Sequence, residues 1–108
     1  MILVTGGCGF IGSHITDALI EKGNKVIVMD NLSSGNLKNL NSKAEFIKGD
    51  VTNTDDIESV FCRFPIRAVC HHAAQISVAI SMENPLFDVN TNVIGIIKLL
   101  QACSRYKV

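Results

Sequence analysis

The stretch that decides the fold lies near the N-terminus, where residues 5–14 read TGGCGFIGSH. Before it, residues 1–5 read MILVT, a short apolar run that predicts a buried strand of a parallel sheet. After it, apolar residues recur at helical spacing and predict a helix from Phe10 to Lys22. The apolar positions expected on its buried face are Ile11, Ile15, Ala18 and Leu19.

The glycines of this stretch satisfy two spacing templates at once. Gly7, Gly9 and Gly12 fit G-x-G-x-x-G, while Gly6, Gly9 and Gly12 fit G-x-x-G-x-x-G. Between a strand and a helix, this pattern predicts a turn that cradles a pyrophosphate against the positive N-terminal end of the helix. The first glycine permits the tight turn, the middle one clears the backbone for phosphate, and the last lets the helix pack closely. A glycine-rich turn without a ligand is the alternative.

Short apolar runs further along predict three more strands, at residues 25–30, 44–48 and 66–71. The polar residues 31–41 predict a loop with one helical turn, and Asn53 or Thr54 can cap the helix that follows the third strand. Pro85 suits the first turn of a long last helix. The buried face expected for that helix comprises Val89, Val93, Ile96, Ile97, Leu100 and Cys103. This alternation predicts a parallel α/β sheet in a single folding unit, residues 1–108.

Two aspartates follow predicted strands at the places where a nucleotide would lie. Asp30 ends the second strand, eighteen residues after Gly12, and can accept hydrogen bonds from an adenosine ribose. Its charge would repel a 2′-phosphate, which favours NAD over NADP. Asp50 follows the third strand and is placed to receive an adenine edge. The alternatives are a solvated loop aspartate at Asp30 and a turn aspartate beside Gly49.

Composition excludes several classes of function. The chain has 10 basic and 10 acidic residues and a net charge of zero, so it lacks the basic surface that nucleic acids or anionic membranes attract. No apolar run is long enough for a membrane span, and no basic segment opens a secretion signal. We therefore expect a cytosolic protein with reduced thiols. We expect no metal site at His71 and His72, because adjacent residues of a strand point to opposite faces and cannot bind one ion together. The four cysteines are Cys8, Cys62, Cys70 and Cys103; we expect Cys8 to be a packed small side chain.

An ordered set of motifs carries a family likeness. After TGGCGFIGSH come DNLSSG at residues 30–35, GDV at 49–51, HHAAQISV at 71–78 and an Asn-x-x-Gly element at 92–95. Over essentially its whole length the chain resembles the NAD-dependent epimerase/dehydratase family of extended short-chain dehydrogenases/reductases, and within it the N-terminal part of UDP-glucose 4-epimerases. The resemblance implies a Rossmann-type parallel sheet of order 3-2-1-4 flanked by helices, incomplete relative to the full family domain.

The resemblance also implies NAD as the cofactor and assigns its contacts. The glycine motif and the two residues after Gly9 match the pyrophosphate site, residues 30–35 the adenosine side, residues 50–51 the adenine, and residues 73–75 the central part of the cofactor. Ser77 and Ser81 lie nearer to where a sugar nucleotide would enter. The matching cofactor positions are Gly6, Gly9, Phe10, Ile11, Gly12, Asp30, Asn31, Ser33, Ser34, Gly35, Asp50, Val51, Ala73, Ala74, Gln75 and Asn92.

The activity implied is nucleotide-sugar epimerisation at C4 through a 4-keto sugar, which in the family needs a Tyr-x-x-x-Lys pair. The only tyrosine is Tyr106, with just Lys107 and Val108 after it, so we expect these 108 residues to bind NAD without catalysing the reaction. A nucleotide-sugar 4,6-dehydratase is an alternative, although that branch commonly has an acidic residue where Gln75 stands. A non-catalytic dinucleotide-binding module and a ligand-free α/β protein are the others. Because the fourth strand is expected at an open edge, we also predict a homo-oligomer.

Overall fold

The computed structural model describes residues 1–108 and arranges them around one parallel four-stranded sheet. Its strands are β1 (Ile2–Thr5), β2 (Val26–Asp30), β3 (Glu45–Lys48) and β4 (Ala68–His71). They lie in the order β3-β2-β1-β4, which confirms the predicted order 3-2-1-4. The carboxyl ends of all four strands therefore meet at one edge of the sheet, where ligands bind in open α/β sheets.

The chain has five α-helices, two between strands and three after β4. These are α1 (Phe10–Glu21), α2 (Thr54–Arg63), α3 (Val78–Glu83), α4 (Pro85–Val89) and α5 (Gly95–Tyr106). A π-helical turn, Asn90–Ile94, joins α4 to α5, so the predicted last helix runs from Pro85 with one wide turn inside it. The predicted single turn in the loop after β2 is the 3₁₀ helix Leu37–Asn39. The short helix α3 was absent from the sequence prediction.

The two faces of the sheet bury alternate strand residues against different helices. Leu3, Ile27 and Met29 join side chains of α2 and α5 in the larger core. On the other face, Val4, Val26 and Val28 pack with Cys8 beside α1. Alternation along each strand, together with helices on both faces, explains why the strands read as continuous apolar runs.

The predicted buried face of the last helix is wrong. Its fully buried residues are Gly95, Leu99 and Ala102, whereas Ile97 and Leu100 are exposed and Ile96 and Cys103 are half-buried. A Cβ at Gly95 would lie 3.1 Å from a methyl carbon of Val51, so the helix packs at close range. Close packing requires small residues at the contact, and a search for strongly apolar residues passes over glycine and alanine.

The predicted face of α1 fails for the same reason. The helix buries Gly12, Ser13 and Thr16, while Ile11 and Ala18 are exposed and Leu19 is half-buried. A Cβ at Gly12 would lie 2.2 Å from the Gly6 carbonyl oxygen, closer than any side chain tolerates. The helix thus begins directly against the turn that precedes it.

The predicted helix ends are confirmed. Gly23 has φ +80° and its N–H bonds to the Ile20 carbonyl, which closes α1 in a left-handed conformation that glycine adopts without strain. The Asn53 side chain caps α2 by accepting from the Asp55 N–H at 2.9 Å. None of the helices has the length and apolar character needed to cross a membrane.

Candidate functional site

A cleft of about 450 Å³ opens at the carboxyl edge of the sheet. The glycine-rich turn after β1 forms its centre, with the segments after β2 and β3 on one side of that turn and the segment after β4 on the other. Of the sixteen residues predicted from the family likeness, fourteen line this cleft. They are Gly6, Gly9, Phe10, Ile11, Gly12, Asp30, Asn31, Ser33, Ser34, Gly35, Asp50, Val51, Ala73 and Ala74.

The N-terminus of α1 presents unpaired donors in the cleft. The backbone N–H groups of Phe10, Ile11 and Gly12 have no hydrogen-bond partner within the protein, and Gly9 at the cap position has no side chain to offer one. No acidic residue occupies the first turn. Only the Gly6 carbonyl oxygen, 3.2 Å away, lies within 4 Å of where a Cβ of Gly9 would stand. This is the arrangement in which a helix terminus receives an anion.

The carboxylate of Asp30 is held in a fixed orientation at the end of β2. Its two oxygens accept the N–H of Cys8 at 2.9 Å and the N–H of Leu32 at 2.8 Å. Leu32 has φ +61°, a strained conformation for a leucine, and this strain lies directly beside the cleft. Asp30 is 8% exposed, yet it lines the cleft, so part of its remaining acceptor capacity faces the cleft.

The side chain of Cys8 itself is packed, as predicted. It is fully buried, and burial together with the charge of Asp30 raises the pKa of its thiol to about 11. A protonated thiol without solvent access has no nucleophilic role. Cys8 therefore serves the site through its backbone.

Asp50 stands opposite Asp30 and is linked to the same loop. It accepts the Asn31 amide at 2.8 Å, and its other oxygen accepts both the N–H and the hydroxyl of Thr52 at 2.8 Å. Burial alone would raise the pKa of Asp50, but these hydrogen bonds and the charge of Lys98 hold that pKa below its ordinary value. The carboxylate is thus ionised at neutral pH and serves as an acceptor.

The start of the glycine turn is clamped between two strands. The Gly6 N–H bonds to the Met29 carbonyl. A Cβ at Gly6 would lie 2.6 Å from the Ala73 backbone nitrogen, and Gly6 itself has φ +68°. The Thr5 hydroxyl oxygen accepts the N–H groups of His72 and Ala73 at 3.2 and 3.3 Å. It therefore donates its own proton to Nδ1 of His71, 2.6 Å away.

Two predicted residues, Gln75 and Asn92, lie outside the cleft lining and bind each other. The Asn92 carboxamide accepts the Gln75 N–H and donates to the Gln75 carbonyl, both at 2.8 Å. The Gln75 amide donates to Asp88 at 2.8 Å and to the Ser77 carbonyl at 3.0 Å. These bonds tie the segment after β4 to the last helix. Ser77 caps α3 by accepting the Ile80 N–H.

The cleft also contains residues that were not predicted as cofactor contacts. The clearest is Thr91, whose hydroxyl oxygen is buried and has no hydrogen-bond partner. It lies in the π-helical turn, a feature often found at functional sites, but no sequence pattern announced that turn. The added lining residues are Met29, Gly49, His72, Ile76 and Thr91.

A glycine turn before a helix N-terminus, an acid at the end of the second strand and the order β3-β2-β1-β4 define a Rossmann-type fold. Comparison with known families matches residues 3–108 to the model described as GDP-mannose 4,6 dehydratase. The chain belongs to this family, and the proteins similar to it include nucleotide-sugar epimerases.

Among curated relatives, UDP-glucose 4-epimerase of Mycolicibacterium smegmatis is 42% identical over 105 residues, covering 93% of this chain and 33% of the relative. Among solved structures, the Thermotoga maritima UDP-glucose 4-epimerase with UDP-glucose superposes with a TM-score of 0.96 at 50% identity. The Thermus thermophilus enzyme in complex with NAD gives 0.95 at 42% identity. Both superpositions cover 99% of this chain and 35% and 34% of those chains. The chain thus spans about a third of the length of its relatives.

Proposed function

We propose that the chain is the NAD-binding part of a nucleotide-sugar epimerase of the UDP-glucose 4-epimerase type. The observation that carries this proposal is the set of three free N–H groups at the start of α1, in one cleft with the oriented carboxylate of Asp30. The N–H groups can donate hydrogen bonds to a diphosphate, and the Asp30 carboxylate can accept hydrogen bonds from the hydroxyls of a ribose. Relatives solved with NAD and with UDP-glucose support both ligands.

The residues of the cleft fit such a cofactor. The N–H groups of residues 10–12 would hold the pyrophosphate, Asp30 the adenosine ribose and Asp50 the adenine edge. Thr91 also lines the cleft, although its unpartnered hydroxyl oxygen is buried and would have to turn toward the cleft to reach a cofactor. When bound, NAD supplies reversible hydride acceptance, the chemistry that interconversion at a sugar carbon requires.

We further propose that the proton-transfer pair of the reaction lies outside these 108 residues. Tyr106 is a poor candidate because its hydroxyl donates to Glu58 at 2.9 Å and contacts the Cys62 sulfur at 2.8 Å, on α2 rather than at the cleft. Hydrogen bonds to Cys62 and Glu58 raise the pKa of Tyr106, opposite to what a general base needs. An epimerase assay on residues 1–108 is expected to show no turnover, and measurable turnover would refute this part.

The amide network at Gln75 favours the epimerase over a 4,6-dehydratase. The Gln75 amide donates to the Asp88 carboxylate, a bond that an acidic residue in its place could not make. Gln75→Glu would set two carboxylates side by side, and we expect it to lower stability at neutral pH. An unchanged melting temperature would remove this argument.

Titration calorimetry with NAD and NADP tests the binding proposal. We expect saturable NAD binding, weaker NADP binding because Asp30 repels a 2′-phosphate, and loss of NAD binding in Gly9→Val, whose side chain would enter the phosphate site. Gly23→Asn is the matched control, since Gly23 lies at the other end of α1 with open space around it and asparagine tolerates its conformation. Equal NAD binding by wild type and Gly9→Val would sink the proposal.

We also propose that residues 1–108 self-associate. β4 pairs only with β1, so one edge of the sheet is open, and apolar side chains of the last helix, including Val93, Ile97 and Leu100, are exposed nearby. Light scattering coupled to size exclusion should show a dimer or larger species at tens of micromolar. Leu100→Glu should shift it toward monomer, and a clean wild-type monomer would contradict the proposal. A cytosolic location stays a prediction.

A further inference from the structure

The 3₁₀ turn Leu37–Asn39 reaches back to the glycine-rich turn through one carbonyl group. The Cys8 carbonyl oxygen accepts the backbone N–H of Asn36 at 3.0 Å and the side-chain amide of Asn39 at 2.9 Å. Asn39 lies 31 residues farther along the chain and is otherwise exposed. The two segments are close enough that a Cβ at Gly35 would lie 2.9 Å from the Cβ of Cys8.

These bonds complete the fixation of the backbone that leads into α1. The Cys8 N–H is held by Asp30, its carbonyl by Asn36 and Asn39, and the next N–H, that of Gly9, bonds to the Gly6 carbonyl at 3.1 Å. The peptide plane between Cys8 and Gly9 is therefore held at both ends. That plane sets the direction in which the free N–H groups at the start of α1 point.

We propose that Asn39 is a positioning residue for the diphosphate subsite, an inference that rests on the proposed function. Asn36 donates through its backbone, which every residue type except proline can do. Asn39 donates through its side chain, so the identity of this residue determines whether the Cys8 carbonyl has its second partner. The bond also links the loop at the adenosine side to the turn at the phosphate side.

Loss of the Asn39 amide should weaken the binding of the phosphate groups and leave the binding of the nucleoside unchanged. With one donor left, the Cys8 carbonyl can tilt, and the peptide plane can carry the N–H groups of α1 out of alignment with a phosphate. Asp30 keeps its bond to Leu32 and Asp50 keeps its bonds to Asn31 and Thr52, so the adenosine side retains its contacts. A nucleoside diphosphate should therefore lose affinity that adenosine does not.

The test compares ADP with adenosine by NMR-detected titration, which measures millimolar as well as micromolar affinities. Asn39→Ala and Asn39→Asp both remove the donor, and aspartate keeps the size of the side chain. We expect each to weaken ADP by about tenfold, the scale of one hydrogen bond, while adenosine affinity changes by less than about twofold. The amide signals of Gly9 to Gly12 should shift even without ligand.

Asn41→Ala is the matched control. The Asn41 amide also joins this loop to α1, by donating to Asp17 at 2.6 Å, but it does not touch the glycine turn. It should leave the ratio of ADP to adenosine affinity unchanged. Unaltered ADP affinity in both Asn39 variants, or equal losses for ADP and adenosine, would overturn the inference. Failure of wild type to bind ADP or NAD would instead refute the proposed function.

Discussion

The region up to Val51 and the region from Ala68 onward differ in how many large apolar side chains they leave exposed. Of the large apolar residues that remain exposed, three lie in the first region, Phe10, Ile11 and Leu37. Eleven lie between residues 76 and 100. Phe10 and Ile11 line the cleft, so two of the three exposed residues of the first region belong to the site, whereas of the eleven in the second region only Ile76 does.

The difference reflects how the strands and helices of each region are packed. In the first region β2 lies between β1 and β3, and the polar groups at its end are partnered with the glycine turn and the loop. In the second region β4 has one neighbour, and the helix behind it buries only a narrow stripe. Exposed apolar residues in such number are typical of surfaces that take part in interactions.

Gly12→Ala is expected to have the largest effect, because it strikes the closest contact of the first region. Its Cβ would lie 2.2 Å from the Gly6 carbonyl oxygen, both groups being backbone-fixed, so α1 must move away from the turn. We expect a loss of more than about 3 kcal/mol in the free energy of unfolding, measured by urea denaturation. Gly9→Ala is the control: its Cβ would lie 3.2 Å from the same oxygen, a tight contact that a shift of a few tenths of an ångström relieves, so its loss of stability should be much smaller. Equal stability of Gly12→Ala and wild type would show that the turn is not tightly packed.

Leu99→Ala and Leu100→Ala separate the buried stripe of the last helix from its exposed surface. Leu99 is 2% exposed in the core, and its truncation should cost about 2–5 kcal/mol. Leu100 is 59% exposed, and at protein concentrations low enough to keep the chain monomeric its truncation should change stability by less than about 0.5 kcal/mol. Denaturant midpoints of the two variants check this. A larger cost at Leu100 would mean that a partner covers that surface under the conditions used.

A pH titration tests the link between the two regions through Thr5 and His71. Burial, with the adjacent His72, lowers the pKa of His71 below its ordinary value of 6.5. The unfolded chain therefore binds a proton more readily than the folded one. The stability that neutral His71 contributes is complete above about pH 6.5 and declines as the pH falls below it, by at most about 1.4 kcal/mol per pH unit.

Denaturation at pH 7.5 and 5.5 measures this slope. His71→Gln should reduce the loss of stability on acidification, whereas His72→Gln, at an exposed neighbouring position, should retain most of it. The same loss of stability in His71→Gln and wild type would assign the pH dependence to other groups.

Lys107→Gly is expected to give the smallest effect and to raise stability. Both regions end a helix with a left-handed residue, but α1 uses Gly23 with φ +80° and α5 uses Lys107 with φ +60°. Glycine adopts the left-handed conformation without strain, so the substitution should stabilise the folded chain by up to about 1 kcal/mol. The greater conformational entropy of glycine in the unfolded chain offsets part of this gain. A small rise in melting temperature is the expected result, and a fall would show that the Lys107 side chain makes a stabilising contact.

The sequence predicted the positions of the strands and helices better than it predicted which side of each helix is buried. The glycine turn and the helix caps follow from short local motifs, because turns and caps depend on neighbours in the chain, whereas the strand order and the fourteen cleft residues were predicted from the family resemblance. The buried stripe of the last helix was misassigned, since Gly95 and Ala102 are selected by close contact with the core rather than by hydrophobicity. Thr91 was missed because a π-helical turn has no sequence signature.

By itself, then, the sequence determined the order of strands and helices, the glycine turn and the acid at the end of β2. These features depend on the conformational freedom of the glycine backbone and on the spacing of apolar residues, which are properties of residues close together in the chain. Only the tertiary structure showed that Asp30, Asn36 and Asn39 converge on the single residue Cys8, and that Asn92 binds the Gln75 backbone rather than lining the cleft. Such hydrogen bonds join residues 17 to 31 positions apart, and they form only once the sheet has brought the strand ends together.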